Sequence, residues 1–338
     1  MAGFCDETID GRSELNMSVT YIDAIHQAME DLLRDDPRVF LYGQDISTFG
    51  GAFKATKGLS EMFPGRVLDS PISEDAMAGM AVGAALEGMR PIVEMQFADF
   101  SSIAFNQIVN HAATHFYRTG VAVPLTMRLP SGGTAGSGPF HSQSMESIYA
   151  HYPGVVVVTP ATVADAYTML VEAVNIDDPV IYCEHKFLYR WLKAKDFHGD
   201  GLSIGQARIT RMGCHATVVA YSAMVHEAVK AAERLQKESG WEIEVVDLRS
   251  VKPLDIDTVL ASVARTGRIL AVGEAFPWGG VTAEVISRVV ADGFHLLDAP
   301  PMRLNARDTP VPYHPRLWAS HRPTSESICD SLKKLLSY

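Results

Sequence analysis

The sequence predicts an α/β protein built from two doubly wound domains. The chain has 338 residues, which is long for a single hydrophobic core and favours two domains of ordinary size. Short apolar segments alternate with helical patterns, and continuous apolar strands between helices are typical of parallel sheets. The alternation weakens at 187–207 and then resumes, so this stretch is interpreted as the connection between the domains.

The first half opens with an amphipathic helix in TYIDAIHQAMEDLLRDD, whose apolar residues recur on one face and which Thr20 can cap. A helix of small residues follows at about 74–88, closed by Gly88, and a third ends at Gly120. A fourth helix lies in VADAYTMLVEAVN. The strands are predicted in RVFLYGQD, RVLDSPISE, RPIVEMQF, PLTMRLP, GVVVVTPAT and PVIYCEH.

The second half repeats the alternation on a smaller scale. Strands are predicted in ATVVAYSA, EIEVVDLRS and RILAVGEA, and helices in MVHEAVKAAERLQKES, DIDTVLASVART and GVTAEVISRVVADG. The predicted organisation is a flexible extension at 1–17, a first domain at 18–190, a linker at 191–207 and a second domain at 208–338.

Composition excludes several classes of function. The formal net charge of −11 argues against a nucleic-acid partner, which needs a basic face. No apolar run approaches the ~18 residues of a membrane span. The N-terminus lacks the pattern of a signal or transit peptide, and the four cysteines form no CxxC pair. A cytoplasmic, reducing location is therefore expected, with Cys183 as a buried core thiol.

Two glycine-containing motifs are candidates for a phosphate-binding or metal-binding site. The loop 132–138 lacks the spacing of a P-loop or dinucleotide fingerprint, so a mobile active-site loop is favoured over a plain surface loop, and His141 directly after it is a candidate functional residue. GDG at 199–201 resembles the start of the thiamine-diphosphate motif that binds magnesium. That motif needs an asparagine soon afterwards, and only Asn305 follows, so GDG is interpreted as a coincidental turn. No metal site is predicted.

The stretch DSPISEDAMAGM places two acids at the start of the small-residue helix. Asp75 is expected to face water. Glu74 follows a strand directly and would lie at the strand's carboxyl end, where ligands bind in open α/β sheets. Acids in a first helical turn are also favoured by the helix dipole, so a purely structural role for Glu74 remains open at this point.

Several motifs together resemble the beta subunit of the decarboxylase component of 2-oxo acid dehydrogenase complexes. They are GQDIS, RVLDSPISE, EGMRPIVEMQFADF, NQIVNHAA, FYRTG, HSQS and VVDLRSVKPLDIDT, and the likeness covers about 18–338. The resemblance implies a pyrimidine-binding thiamine-diphosphate domain followed by a transketolase C-terminal-type domain. It also implies oxidative decarboxylation of pyruvate or a branched-chain 2-oxo acid, with reductive acylation of a lipoyl domain.

The resemblance assigns roles to individual residues. Glu74 matches the glutamate that binds N1′ of the cofactor's aminopyrimidine, which favours the imino tautomer that takes the proton from thiazolium C2. Burial favours a carboxyl that shares a proton in this way. Phe100 matches the aromatic residue that stacks on the pyrimidine, and Ile72 a residue that lines the same pocket. His141 matches the histidine used when the acyl group passes to the lipoyl arm.

The resemblance also implies partners. In this family a separate alpha subunit holds the diphosphate and magnesium, within a heterotetramer of two alpha and two beta chains, and a lipoyl acyltransferase receives the product. Gly79 and Gly83, one turn apart, could admit a partner backbone or serve packing within the chain. An acetoin-cleaving enzyme and a free-standing 2-oxo acid decarboxylase remain alternatives. A non-catalytic docking subunit is disfavoured because Glu74, Phe100 and His141 are all present.

Overall fold

The structure is a computed structural model that describes residues 18–338, so the predicted extension 1–17 lies outside the described residues. The strands are β1 Val19–Thr20, β2 Val39–Gly43, β3 Val67–Asp69, β4 Arg90–Glu94, β5 Thr126–Ser131, β6 Val156–Val158, β7 Val180–His185, β8 Lys193–Ala194, β9 Arg208–Arg211, β10 Ala216–Ala220, β11 Ile243–Asp247, β12 Ser250–Lys252, β13 Ile269–Val272 and β14 Met302–Leu304. The α-helices are α1 Tyr21–Asp35, α2 Leu59–Met62, α3 Glu74–Leu86, α4 Ala113–Thr119, α5 Glu146–Ala150, α6 Val163–Asn175, α7 Leu188–Trp191, α8 Met224–Ser239, α9 Ile256–Thr266, α10 Val281–Gly293, α11 Pro315–His321 and α12 Ser325–Leu335.

The larger sheet has seven strands in the order β12-β6-β7-β5-β4-β2-β3. All neighbours are parallel except β12, which pairs antiparallel with β6. Every residue of β5 and β7 is buried, because helices cover both faces. Val180 packs in the core formed with α1 and α6, whereas its neighbour Ile181 packs in the core formed with α3. The predicted double winding follows from this alternation.

The smaller sheet has five strands in the order β14-β13-β10-β11-β9. Val218 of β10 lies in the same core as residues of α8 and α12, and the next residue, Val219, lies in the core formed with α9 and α10. Helices therefore cover both faces of this sheet as well. β9 is the exception in direction, since it runs antiparallel to β11. The α/β prediction of two doubly wound units is confirmed.

The helix ends follow the signals read from the sequence. Thr20 caps α1 in a reciprocal arrangement with Asp23: the Thr20 N–H donates to the Asp23 carboxylate, and the Asp23 N–H donates to the Thr20 hydroxyl. Two backbone donors at the helix start are satisfied in this way. α3 ends two residues before Gly88, which has φ +88°, and α4 ends at Thr119, directly before Gly120 with φ +75°. These left-handed positions favour glycine.

Two local features were not anticipated from the sequence. The helix expected to end at Gly120 is divided into a 3₁₀ turn at Ala98–Ser102, a π-helical segment at Gln107–Ala112 and α4. The predicted linker begins with ordered structure, because β8 pairs with β1.

No helix among residues 18–338 is long and apolar enough to cross a bilayer.

A buried ion network joins the two halves of the chain. The Asp165 carboxylate, at the start of α6, accepts hydrogen bonds from Arg249 Nε at 3.0 Å and from both terminal nitrogens of Arg208 at 2.6 and 2.8 Å. Burial opposes the charged form, but the bonds from Arg208 outweigh it and lower the pKa of Asp165. Removing the Asp165 carboxylate would leave the buried Arg249 without its ion-pair partner, so this network stabilises the contact between the halves.

Candidate active site

The sequence-predicted site residues lie along the carboxyl edge of the larger sheet. In spatial order β3, β2, β4, β5 and β7 are neighbours, and each is followed by polar or aromatic residues at this edge. These are Glu74 after β3, Gln44 after β2, Phe97 and Phe100 after β4, His141 in the loop after β5, and Lys186 after β7. Carboxyl ends of parallel strands meet at one edge, which is the usual place for a ligand in such a sheet.

Glu74 is the first residue of α3 and is only 7% exposed. Its Oε1 accepts a hydrogen bond from Nε2 of Gln44 at 3.1 Å, and Gln44 is itself buried. A buried carboxylate needs such a donor. The neighbouring acid behaves differently from expectation: Asp75 is half-buried and accepts from Nε2 of Gln107 at 3.2 Å, because the π-helical segment packs against α3.

An aromatic cluster surrounds His141. The His141 ring lies edge-on to Phe97 with centroids 4.4 Å apart and to Phe100 with centroids 5.6 Å apart. Phe97 in turn contacts Phe53 at 5.5 Å. The structure therefore brings Phe100 and His141 together. Ile72 is 85% exposed, so within this chain it lines no enclosed pocket.

A cluster of buried charged residues lies beneath this edge. The sequence did not identify it as part of the site. Arg128 of β5 bonds to Glu94 of β4 and to Glu184 of β7, with Nε 3.2 Å from Glu184 Oε2, and the Tyr189 hydroxyl donates to Glu184 at 2.7 Å. Burial raises the pKa of Glu94. A charged residue within each of three adjacent apolar strands was the available signal, since such charges are stable only when paired.

The loop after β5 is held by residues that the sequence analysis also missed. The buried Asp99 carboxylate accepts from the backbone N–H groups of Ser142 and Gln143, both at 3.3 Å. Nζ of Lys186 donates to the carbonyl of Gly132 at 2.6 Å. Burial lowers the pKa of Lys186 to about 8. These contacts fix both ends of the segment that carries His141.

The GDG turn has a structural partner. The Asp200 carboxylate accepts from Nε of Arg208 at 2.6 Å and from the Leu202 N–H at 3.3 Å, and the bond from Arg208 lowers the pKa of Asp200 to about 2. Among residues 18–338, no cluster of three or more histidine, cysteine or acidic side chains could hold a metal ion. Cys183 is fully buried, as predicted, and burial raises the pKa of its thiol.

Comparison with known proteins defines the class of the two halves. Residues 17–191 match the family described as "Transketolase, pyrimidine binding domain", and residues 205–328 match "Transketolase, C-terminal domain". A solved structure described as a split-gene transketolase, inactive beta4 tetramer, superposes with a TM-score of 0.78 over 95% of this chain and 99% of that one, at 21% identity. That likeness shows the fold.

Sequence relatives define the family more narrowly. The chain is 44% identical to the 2-oxoisovalerate dehydrogenase subunit beta of Bacillus subtilis, over 95% of this chain and all of that one. It is 39% identical to the mitochondrial pyruvate dehydrogenase E1 component subunit beta-2 of Oryza sativa, over 94% and 86% of the two chains. The chain belongs to the family of 2-oxo acid dehydrogenase E1 component beta subunits.

Proposed function

We propose that the carboxyl edge of the larger sheet binds the aminopyrimidine half of thiamine diphosphate. The chain would then act, with an alpha subunit, in the oxidative decarboxylation of pyruvate or a branched-chain 2-oxo acid. The observation that carries the proposal is the buried Glu74 at the same sheet edge as Phe100 and His141. When bound, the cofactor supplies a nucleophilic carbon and an electron sink for the loss of carbon dioxide.

The residues fit a pyrimidine ring. Glu74 offers a carboxylate shielded from water, which is suited to holding a proton against a ring nitrogen, and the bond from Gln44 fixes its orientation. Phe100 is only half-buried, so part of its ring is accessible to a ligand. Ile72 is 85% exposed and would line the site only when a neighbouring chain closes over it.

His141 is proposed to act in the second half of the reaction, the transfer of the acyl group to a lipoyl arm. Histidine exchanges protons near neutral pH, and opening the lipoyl disulfide requires protonation of one sulfur. Support comes from the contacts of the His141 ring with Phe97 and with Phe100, on which the pyrimidine is proposed to stack. General acid catalysis there would be worth about 100- to 10,000-fold.

The diphosphate and magnesium are proposed to bind to the alpha subunit in a heterotetramer of two alpha and two beta chains. Asp200, the acid of the GDG turn, is already bound to Arg208, which supports this division. Exposed residues near the site also support a partner. On α3, Gly83 is open to solvent and Met80, on the same helix face, is 62% exposed, whereas Gly79 faces Gln107 of its own chain.

Calorimetry with thiamine diphosphate and magnesium tests the division of the site. The purified chain alone should bind the cofactor weakly, and the complex with the alpha subunit of the same organism should bind it at least ~100-fold more tightly. Tight binding by this chain alone would contradict the two-subunit site. The reconstituted complex, offered pyruvate, branched-chain 2-oxo acids and acetoin in turn, would identify the substrate. Turnover of acetoin alone would overturn the 2-oxo acid assignment, and no turnover would favour a docking subunit.

A further inference from the structure

The loop that carries His141 is closed at its neck. The Gly132 N–H donates to the carbonyl of Gln143 at 3.3 Å, so the two ends of the segment lie side by side. Near the tip, Gly138 has φ +67° and packs against Tyr313 of the second half, where an added Cβ would lie 2.1 Å from the ring. A compact loop whose ends lie close together is an Ω-loop, and the contacts at this neck fix Gln143, which lies two residues from His141.

One of those contacts comes from the second half of the chain. Glu274 follows β13, and its Oε1 accepts a hydrogen bond from the Gly133 N–H at 2.7 Å. The same carboxylate, through Oε2, lies 3.0 Å from Nε2 of His185. The Phe187 N–H donates to Nδ1 of His185 at 3.2 Å, so Nε2 carries the proton and donates to Glu274. Both carboxylate oxygens of Glu274 are therefore engaged.

The charge on Glu274 is stabilised by these contacts. Burial disfavours the ionised carboxyl, but the contact with His185 and the hydrogen bond from the Gly133 N–H outweigh it and lower the pKa of Glu274. A bond from a backbone N–H to an ionised acceptor is among the stronger hydrogen bonds in proteins. Glu274 therefore binds the neck more firmly than a neutral side chain would.

We propose that Glu274 is a positioning residue for His141. Its carboxylate fixes the Gly133 end of the neck, while Asp99 fixes the other end, and together they hold the His141 ring against Phe97. The second domain would thus position a side chain of the first. The proposal rests on the role proposed for His141. A displacement of about 1 Å in such a group can cost about 100-fold in rate.

Two variants test the proposal in the assembled complex with the alpha subunit. Glu274→Ala removes both bonds. Glu274→Gln keeps an acceptor for Gly133 but turns an amide N–H₂ towards the donor on His185. Hydrogen exchange of a peptide covering 131–145 should become about 10- to 100-fold faster in Glu274→Ala and less so in Glu274→Gln, because a hydrogen bond to a charged group is lost.

The ratio of two activities distinguishes a positioning role of Glu274 from a purely structural one. The rate of lipoyl acylation should fall about 10- to 100-fold more than carbon dioxide release to an artificial acceptor. The matched control is Glu172→Gln, since the Glu172 carboxylate accepts from the Ile204 N–H at 3.0 Å, away from the loop. This control should change neither the loop exchange nor the ratio of the two rates by more than about twofold.

The outcomes distinguish failure of the Glu274 proposal from failure of the role proposed for His141. If exchange of 131–145 is unchanged in Glu274→Ala, or if it rises while the rate ratio stays constant, Glu274 is not a positioning residue. His141→Ala is measured alongside. If His141→Ala lowers the ratio of lipoyl acylation to carbon dioxide release and the Glu274 variants do not, the Glu274 proposal alone is wrong. If His141→Ala leaves the ratio unchanged, the proposed role of His141 is wrong as well. Adding Glu274→Ala to His141→Ala should lower the ratio no further.

Discussion

Replacing Glu74 by glutamine tests whether this residue is a catalytic carboxyl or only a favourable charge in the first turn of α3. Glutamine keeps the length of the side chain and its Oε1, which can still accept from Gln44 Nε2 at the 3.1 Å seen for glutamate. The fold should therefore lose only the favourable charge in the first turn of α3, about 0.3–1 kcal/mol. The proton that the carboxyl would share with the pyrimidine is lost entirely, and that is worth about 100- to 10,000-fold in rate, or about 3–5 kcal/mol of barrier.

The neighbouring acid provides a matched control. Asp75 lies in the same helical turn, but its carboxylate binds Gln107, so Asp75→Asn removes a similar helix charge without touching the proposed pyrimidine site. Both variants would be assembled with the alpha subunit and assayed by carbon dioxide release to an artificial acceptor, with thermal denaturation measured in parallel. Equal rates in the two variants, or a loss below about tenfold in Glu74→Gln, would refute the catalytic role.

Three further predictions concern His141, Glu146 and Gly154. His141→Ala should lower acyl transfer to a lipoyl domain about 100-fold or more beyond any loss of carbon dioxide release, and equal losses in the two assays would show that the residue orders the site instead. Burial raises the pKa of Glu146 to about 7, and its Oε2 has no hydrogen-bond partner among residues 18–338. This residue therefore favours folding below the unfolded pKa of about 4.5, and that contribution is lost as pH rises through about 7. Glu146→Gln should then stabilise the chain at pH 8 by up to about 3 kcal/mol and much less at pH 5, as measured by denaturation, and an equal effect at both pH values would contradict the assignment. Gly154→Ala should destabilise by more than about 2 kcal/mol, because its Cβ would lie 2.0 Å from the carbonyl oxygen of Ala113, whereas Gly88→Ala, with a similar positive φ but open space, should cost less.

Most of the fold could be predicted because its signal is local. Apolar strands alternate with amphipathic helices, and caps such as Thr20 and Gly120 mark the helix ends. β12 could not be predicted, because three residues of the second half join the larger sheet across a chain separation that no local pattern encodes. The division of the third predicted helix into three segments was equally invisible, since a single π-helical turn is too short to stand out from the helical pattern around it.

The site was predictable only in part, for a related reason. Glu74 was identifiable as a candidate because it closely follows a predicted strand, and the structure places it, buried, at the start of α3 after β3. Gln44 and Glu274 could not be identified, because the roles proposed for them come from contacts between residues that are far apart in the sequence, Gln44 with Glu74 and Glu274 with Gly133. A single charged residue within an apolar segment, such as Arg128, predicts a buried partner but does not identify it.

The reconstituted reaction tests the central claim most directly. The chain would be combined with its alpha subunit, thiamine diphosphate, magnesium and a lipoyl domain, and the acylated lipoyl domain would be measured by mass spectrometry as a function of added 2-oxo acid. The account predicts acyl-lipoyl formation with both subunits present, none with either alone, and a loss of about 100-fold or more with Glu74→Gln. Acyl-lipoyl formation by this chain without an alpha subunit, or full activity of the Glu74→Gln complex, would contradict it.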